Sequence, residues 1–269
     1  MLGKLIKYEF KATGRILLPL YGALLVFALI NRLLFRSSLD ETINNTFGTI
    51  GGIANILSVF AYGCTMAAVF VVTFFVIVQR FYKNILGDEG YLMNTLPVKP
   101  YLNIINKILT SAIWTIISCF VAFMSIILLF VTIDSVRDIF SNIIPVLRDV
   151  FNYYGGTPFI LAIEFFIVGL VELITSITMI YASISIGHLF SKSKILMSFV
   201  AFIVLSILSN IINSIAVYIF SSNHISMFTE PSSGMFSGIL LLSIVLELIY
   251  FSIYFFITNY VLTKKLNLE

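Results

Sequence analysis

The chain has 269 residues, with 59% apolar and 11% charged side chains, 16 Lys and Arg against 13 Asp and Glu, and a mean hydropathy of +1.06. Soluble domains average about 25% charged residues, so this composition excludes a soluble globular protein and identifies an integral membrane one. The small positive balance belongs to membrane topology, and nucleic-acid binding is excluded as its reason.

The first fifteen residues read as an amphipathic helix. At 3.6 residues per turn, Lys4, Lys7, Lys11 and Arg15 share one side and Leu2, Leu5, Ile6 and Phe10 the other, with Glu9 in the apolar sector. Such a segment lies flat on a leaflet, against lipid headgroups, and the chain is expected to turn into the bilayer near Gly14. No A-x-A cleavage pattern follows the basic start, so the first apolar stretch reads as a retained span.

Crossing about 30 Å of hydrocarbon takes about 20 apolar residues as helix. Stretches 16–35, 53–78, 108–133, 159–186, 195–220 and 236–262 meet that length, and their continuous apolar character excludes the alternation of a β-barrel. The expected fold is an all-α integral membrane domain of six transmembrane helices, one domain over residues 1–269. Asn31 and Arg32 mark the outer end of the first span, and Pro19 and Gly22 are expected to bend its inner part. Cys64 and Cys119 fall inside spans, where a free thiol packs as a small hydrophobe. Trp114 reads either as an interfacial anchor or as a core residue.

An even number of spans puts both termini on one side. That side carries Lys4, Lys7, Lys11, Arg15, Arg80, Lys83, Lys99, Lys107, Lys192, Lys194, Lys264 and Lys265, against Arg32, Arg36, Arg137 and Arg148 on the other. Positive residues accumulate in the cytoplasm, so both termini are expected there. The outer connections, including 36–52 with the sequon Asn44–Thr46 and 134–158 ending in "YYGGTP", are expected to form short helices or turns.

The largest inner connection is "GDEGYLMNTLPVKP", residues 87–100. Asp88 is a good N-cap, Glu89 suits a helix N-terminus, and Pro97 biases Leu96 away from helix. Two turns of helix would present Tyr91, Leu92, Met93 and Leu96. So short a helix is marginal in water and needs a partner surface to hold it.

The order of features, an amphipathic elbow, two spans, a short inner helix and four more spans, resembles the membrane subunit of ABC-2 type ABC transporters. The segment "DEGYLMNTLPVKPYLNIINKIL" is similar to that family's acidic-Gly-to-Pro pattern, with Glu89, Gly90, Leu92, Leu96 and Pro97 on the usual places and Tyr91 and Lys99 departing from it. The resemblance implies a coupling helix, formed by Asp88, Glu89, Gly90, Tyr91, Leu92, Met93, Leu96 and Pro97, docked on a separate nucleotide-binding ATPase subunit. It also implies a second permease subunit, identical or related, in a bacterial cell membrane, and export of a hydrophobic, cationic or peptide-like compound such as an antimicrobial peptide. The sequence holds no G-x-x-x-x-G-K-[ST] loop, so ATP and Mg are expected in the partner and no cofactor in this chain.

Ionisable and polar residues inside spans are functional candidates because their burial in lipid is costly. Glu172 and Glu247 lie at similar depth near the middle of their spans, and Glu164 lies nearer the outer end. Ser243, Glu247, Tyr250 and Tyr254 share one helical face; Glu164, Glu172, Thr175, Ser176 and Ser183 share another; Ser206, Asn210 and Asn213 form a third. These faces are expected to point toward protein or a watery cavity, either as interhelical ties or as the lining of a translocation path. An ion- or proton-coupled secondary transporter or channel using Glu172 and Glu247 is the alternative. No catalytic motif occurs, and His188 and His224, expected at opposite interfaces, make no metal site.

Overall fold

A computed structural model describes residues 2–39, 41–86, 100–130, 133–190, 193–222 and 233–264. All the regular elements among them are helical: α1 (Leu2–Leu39), α2 (Glu41–Phe81), a π-helical turn (Tyr82–Leu86), α3 (Pro100–Phe130), α4 (Ile133–Tyr154), α5 (Thr157–Gly187), α6 (Lys194–Ser222) and α7 (Ser233–Lys264). Among the described residues six helices are long and apolar enough to cross a membrane: Gly3–Leu33, Ile56–Ile85, Pro100–Leu129, Thr157–Gly187, Lys194–Ser222 and Gly234–Lys264. Their faces are strewn with exposed large hydrophobics such as Phe60, Phe75, Phe120, Phe165 and Phe256, the inverse of a soluble surface and the surface that lipid requires.

The chain divides into two compact units, Met1–Gln79 with Ile113–Ile143, and Arg80–Ala112 with Ile144–Glu269. In the first, Leu17, Tyr21 and Leu24 of α1 pack with Val69 of α2 and Trp114 of α3. Trp114 is 2% exposed and stacks on Phe10 at 4.4 Å, so it is a core residue and not an interfacial anchor. Its ring lies against Gly14, where an added Cβ would stand 3.3 Å from it. Where a turn is expected near Gly14, α1 continues as one helix of 38 residues, and the glycine there admits the indole. Lys4, Lys7, Lys11 and Arg15 are all on exposed positions of this helix and Glu9 is half-buried.

Lipid offers helices no hydrophobic drive to associate, so packing and polar ties must hold them. The hydroxyls of Tyr21 and Ser118 are 2.6 Å apart, Thr73 Oγ1 lies 2.9 Å from the same serine, and the Tyr62 and Ser125 hydroxyls are 2.9 Å apart. Asn31 does not merely mark the end of a span. It is 1% exposed, its amide donates to the Ser58 carbonyl at 2.9 Å and its oxygen accepts from the Ser58 hydroxyl at 3.0 Å, which locks α1 to α2. Arg32 donates to the Leu128 carbonyl at 3.2 Å. Cys64 and Cys119 are free and exposed, so neither packs in the core as expected.

In the second unit α5 lies against α7 and α6. Ala182, Tyr250 and Tyr254 form one of its buried clusters, with Met179, Leu205, Leu246 and Ile257 packed against it, while α6 has no buried residue. The outer connections are more helical than their composition suggests. Residues 36–39 and 41–52 extend α1 and α2, and the connection between the third and fourth spans holds the 22-residue helix α4. Over residues 141–154 its apolar side chains recur with a 3.6 period, so the chain stays helical until the turn at Gly155.

Asn31→Ala removes both interhelical bonds to Ser58. It should cost about 1 kcal/mol, from about 0.6 kcal/mol per bond in a membrane, read as a lowered midpoint of thermal unfolding in detergent. An unchanged midpoint would show that the α1–α2 contact does not depend on this tie.

Candidate functional site

Two helices flank residues 87–99, and both are held by one side chain of α5. Phe81, the last residue of α2, is fully buried and stacks on Tyr181 with ring centroids 4.0 Å apart and planes 7° from parallel. The Tyr181 hydroxyl lies 2.7 Å from that of Ser111 and donates to the Lys107 carbonyl at 3.4 Å, both on α3. Tyr181 thus engages one flank through its ring and the other through its oxygen. A second contact lies beside it, with the Tyr82 ring 5.0 Å from the imidazole of His188 at the C-cap of α5. The backbone of Tyr82–Leu86 takes the wider π-helical turn, a form concentrated where helices meet functional constraints.

The start of α3 is polar on its buried side. Asn103, Asn106, Lys107, Thr110 and Ser111 are all buried, Lys107 to 1% exposure, and their spacing of i, i+3, i+4, i+7 and i+8 places them on one stripe. The side-chain oxygens of Asn103, Asn106 and Thr110 have no hydrogen-bond partner among the described residues. Buried oxygens of this kind retain the capacity to accept from a donor.

Deeper along α5, Thr175 is buried and its hydroxyl donates to the Val171 carbonyl at 2.9 Å and to the Glu247 carbonyl of α7 at 3.2 Å. On the α7 face Tyr250 and Tyr254 are core residues and Glu247 is half-buried, and Tyr250 donates to Asn213 Oδ1 at 3.2 Å and to the Ser209 carbonyl at 3.4 Å. Ser243 is half-buried and bonds the Ile239 carbonyl of its own helix. Toward the α4 end of α5, Glu164 accepts from Ser237 at 2.7 Å through Oε1, while its buried Oε2 has no partner among the described residues.

The three expected polar faces therefore do not all converge. Glu247, Tyr250 and Asn213 come together with Thr175, and Glu164 pairs separately with Ser237. Glu172 and Ser176 are exposed, whereas Thr175 and Ser183 of the same predicted face are buried. Asn210 is exposed too and turns its amide back on the Ser206 carbonyl at 2.8 Å. The α5 correction has a geometric cause. An arc of about 120° is wide enough for its margins to face different surroundings, and Ser183 stands about 16 Å beyond Glu172 along the axis, against other neighbours. Asp88, Glu89, Gly90, Tyr91, Leu92, Met93, Leu96 and Pro97 lie outside the described residues. His224 does as well, and the described residues hold no group of three or more His, Cys, Asp or Glu that could bind a metal.

Sequence reading misses Tyr181 and Phe81, because an aromatic inside an apolar helix carries no pattern of its own. The α3 stripe has a signal in its spacing. Compared with protein families, curated proteins and solved structures, the chain has no match.

His188 lies just past the membrane-spanning part of α5. Burial pushes its imidazole below the ordinary range, the Nδ1 contact with the Ile184 carbonyl at 3.0 Å opposes this, and the Lys194 charge adds to the depression. A base with a lowered folded pKa contributes stability that is complete above its unfolded value and is lost as pH falls from there through the folded one. Thermal stability in detergent should therefore fall on going from about pH 7.5 to about pH 5, and His188→Gln should flatten that component. An equal fall in the variant would assign it to other groups.

Proposed function

We infer that this chain is the membrane subunit of an ATP-driven exporter of the ABC-2 type, its motor a separate ATPase docked on residues 87–100. The observation that carries the reading is the Tyr181 clamp. A segment of this size whose two flanks are fixed to one membrane helix is suited to receive a push and pass it on, whereas a mere connector needs no such fixing.

In this reading residues 87–100 face the cytoplasm, with Tyr91, Leu92, Met93 and Leu96 in a groove of the ATPase, where ATP and Mg bind. Displacement of that segment pulls on Phe81 and Ser111 together, and Tyr181 carries it into α5. Thr175, one bond from the Glu247 carbonyl, passes it to α7. The polar groups along this route, Asn103, Asn106 and Thr110 on α3 and Glu247, Tyr250 and Asn213 deeper in, suit a path for a cationic or amphipathic cargo.

A second permease subunit accounts for Glu172. A carboxyl group exposed halfway along a membrane-spanning helix is costly against lipid and needs a protein or aqueous surface beside it. Glu172 with Ser176 therefore marks the face of α5 turned toward that subunit or toward the shared path. The N-terminal cations Lys4, Lys7, Lys11 and Arg15 would meet the headgroups of the inner leaflet, with both termini in the cytoplasm.

Purified from native membranes, the chain should bring Mg-dependent ATP hydrolysis with it. Joint replacement of Tyr91, Leu92 and Leu96 by aspartate should lower that activity at least about tenfold, the factor given by about 1.4 kcal/mol of lost binding, with the helical content unchanged. Hydrolysis that persists in the variant, or is absent from the unaltered protein, would overturn the reading.

A further inference from the structure

Among the described residues, the later part of helix α4 is almost wholly uncovered. From Ser141 to Thr157 every side chain is exposed except that of Val150, which is half-buried. Yet the helix is sharply two-sided. Ile143, Ile144, Val146, Leu147, Val150, Phe151 and Tyr154 occupy about 160° of arc, and the polar residues with Pro145 and Tyr153 fill the remainder without intrusion. Ile144 is 65% exposed and Phe151 57%, so the apolar side is as bare as the polar one.

An isolated helix with an uncovered apolar face and an internal proline is marginal in water. What covers it follows from what it is joined to. Two residues separate the end of α3 at Phe130 from α4, and two separate α4 from the start of α5 at Thr157, and both α3 and α5 are long and apolar enough to cross the bilayer. Connections that short hold α4 at the membrane surface where the spans emerge.

The corner into α5 is built for a change of direction. Gly155 has φ of 66°, open to glycine at no steric cost, and its N–H donates to the Phe151 carbonyl at 2.9 Å, closing the last turn of α4. Gly156 caps α5, Pro158 lies in its first turn, and the Thr157 hydroxyl donates to the Tyr154 carbonyl at 2.7 Å. Tyr153 and Tyr154 stand exposed at the corner with rings 4.6 Å apart, the residue type that settles at the headgroup level. Pro145, which has no N–H to give the preceding turn, belongs to the polar side, where water can serve the backbone.

We propose that α4 is an interfacial helix whose Ile143, Ile144, Leu147 and Phe151 side lies among lipid acyl chains, so that the lipid surface is the binding partner of this element. The face would sit about 5–10 Å into the headgroup and acyl boundary. Arg148 and Asp149 cancel over residues 141–154, and with Asp134, Arg137 and Asp138 ahead of them α4 carries two cations against three anions, so it has no cationic excess to draw it to anionic lipid. The attachment is therefore hydrophobic and indifferent to anionic lipid and to salt, unlike that of a basic surface helix.

The test uses the full chain with Cys64→Ser and Cys119→Ser, reconstituted in phosphatidylcholine vesicles, with one nitroxide at a time on Ile144→Cys, Leu147→Cys, Phe151→Cys, Arg148→Cys and Asn152→Cys. Collision with oxygen should dominate at 144, 147 and 151, and collision with a water-soluble nickel chelate at 148 and 152, in low salt and in about 1 M salt alike. Equal nickel access at all five positions would overturn the proposal by placing the helix in water. Labels at 144, 147 and 151 that are immobilised and shielded from both reagents would overturn it by placing another protein surface there.

Discussion

The structure turns on the ring and the hydroxyl of Tyr181. Its ring stacks on Phe81 at the end of α2, and its oxygen meets Ser111 and the Lys107 carbonyl at the start of α3. The two interactions are of different kinds, dispersion across a stacked pair and directional hydrogen bonds, and one rigid side chain with two side-chain torsions performs both. Because Tyr181 and Phe81 are both fully buried, neither contact competes with solvent. Residues 87–99 therefore connect two helix ends that α5 already holds in place.

The same economy of polar contacts recurs elsewhere. Lipid removes the hydrophobic gain that drives soluble cores together, so each bundle relies on close approach and on hydroxyls and amides that find partners. Asn31 with Ser58, Tyr21 with Ser118 and Tyr62 with Ser125 do this in one unit, and Tyr250 with Asn213 and Glu164 with Ser237 in the other. Many hydroxyls also bond the carbonyl four residues back on their own helix, as those of Thr73, Ser118, Thr175 and Thr258 do, which satisfies them before any interhelical bond forms. Glu172 is the exception that gives information, since among the described residues it stands exposed.

The spans are legible in the sequence because length and continuous apolar character are the properties that a bilayer selects. Their ends are less so. Composition suggests a corner at Gly14, but α1 runs through it unbroken, and the glycine leaves room for the ring of Trp114, distant in sequence. The α7 face of Glu247, Tyr250 and Tyr254 shows in its period, whereas the same counting groups Glu172 with Thr175 although one is exposed and the other buried. Periodicity fixes angles on a helix and is silent on where its neighbours stand. The turn-rich ending of the third connection hides helix α4, whose signal is the clean alternation of Ile143, Ile144, Leu147 and Phe151 with Arg148, Asp149 and Asn152. Tyr181 cannot be picked out, since nothing local separates it from the other aromatics in the spans.

The proposed function requires that motion of residues 87–100 reach α7 through Tyr181. Its most direct measurement is the rate at which a water-soluble thiol reagent modifies Ser243→Cys, in a chain freed of Cys64 and Cys119 and held with the ATPase proposed to dock on residues 87–100, with and without ATP. The account predicts an ATP-dependent change in that rate which Tyr181→Ala abolishes while the ATPase stays bound. A change of the same size in Tyr181→Ala would contradict it.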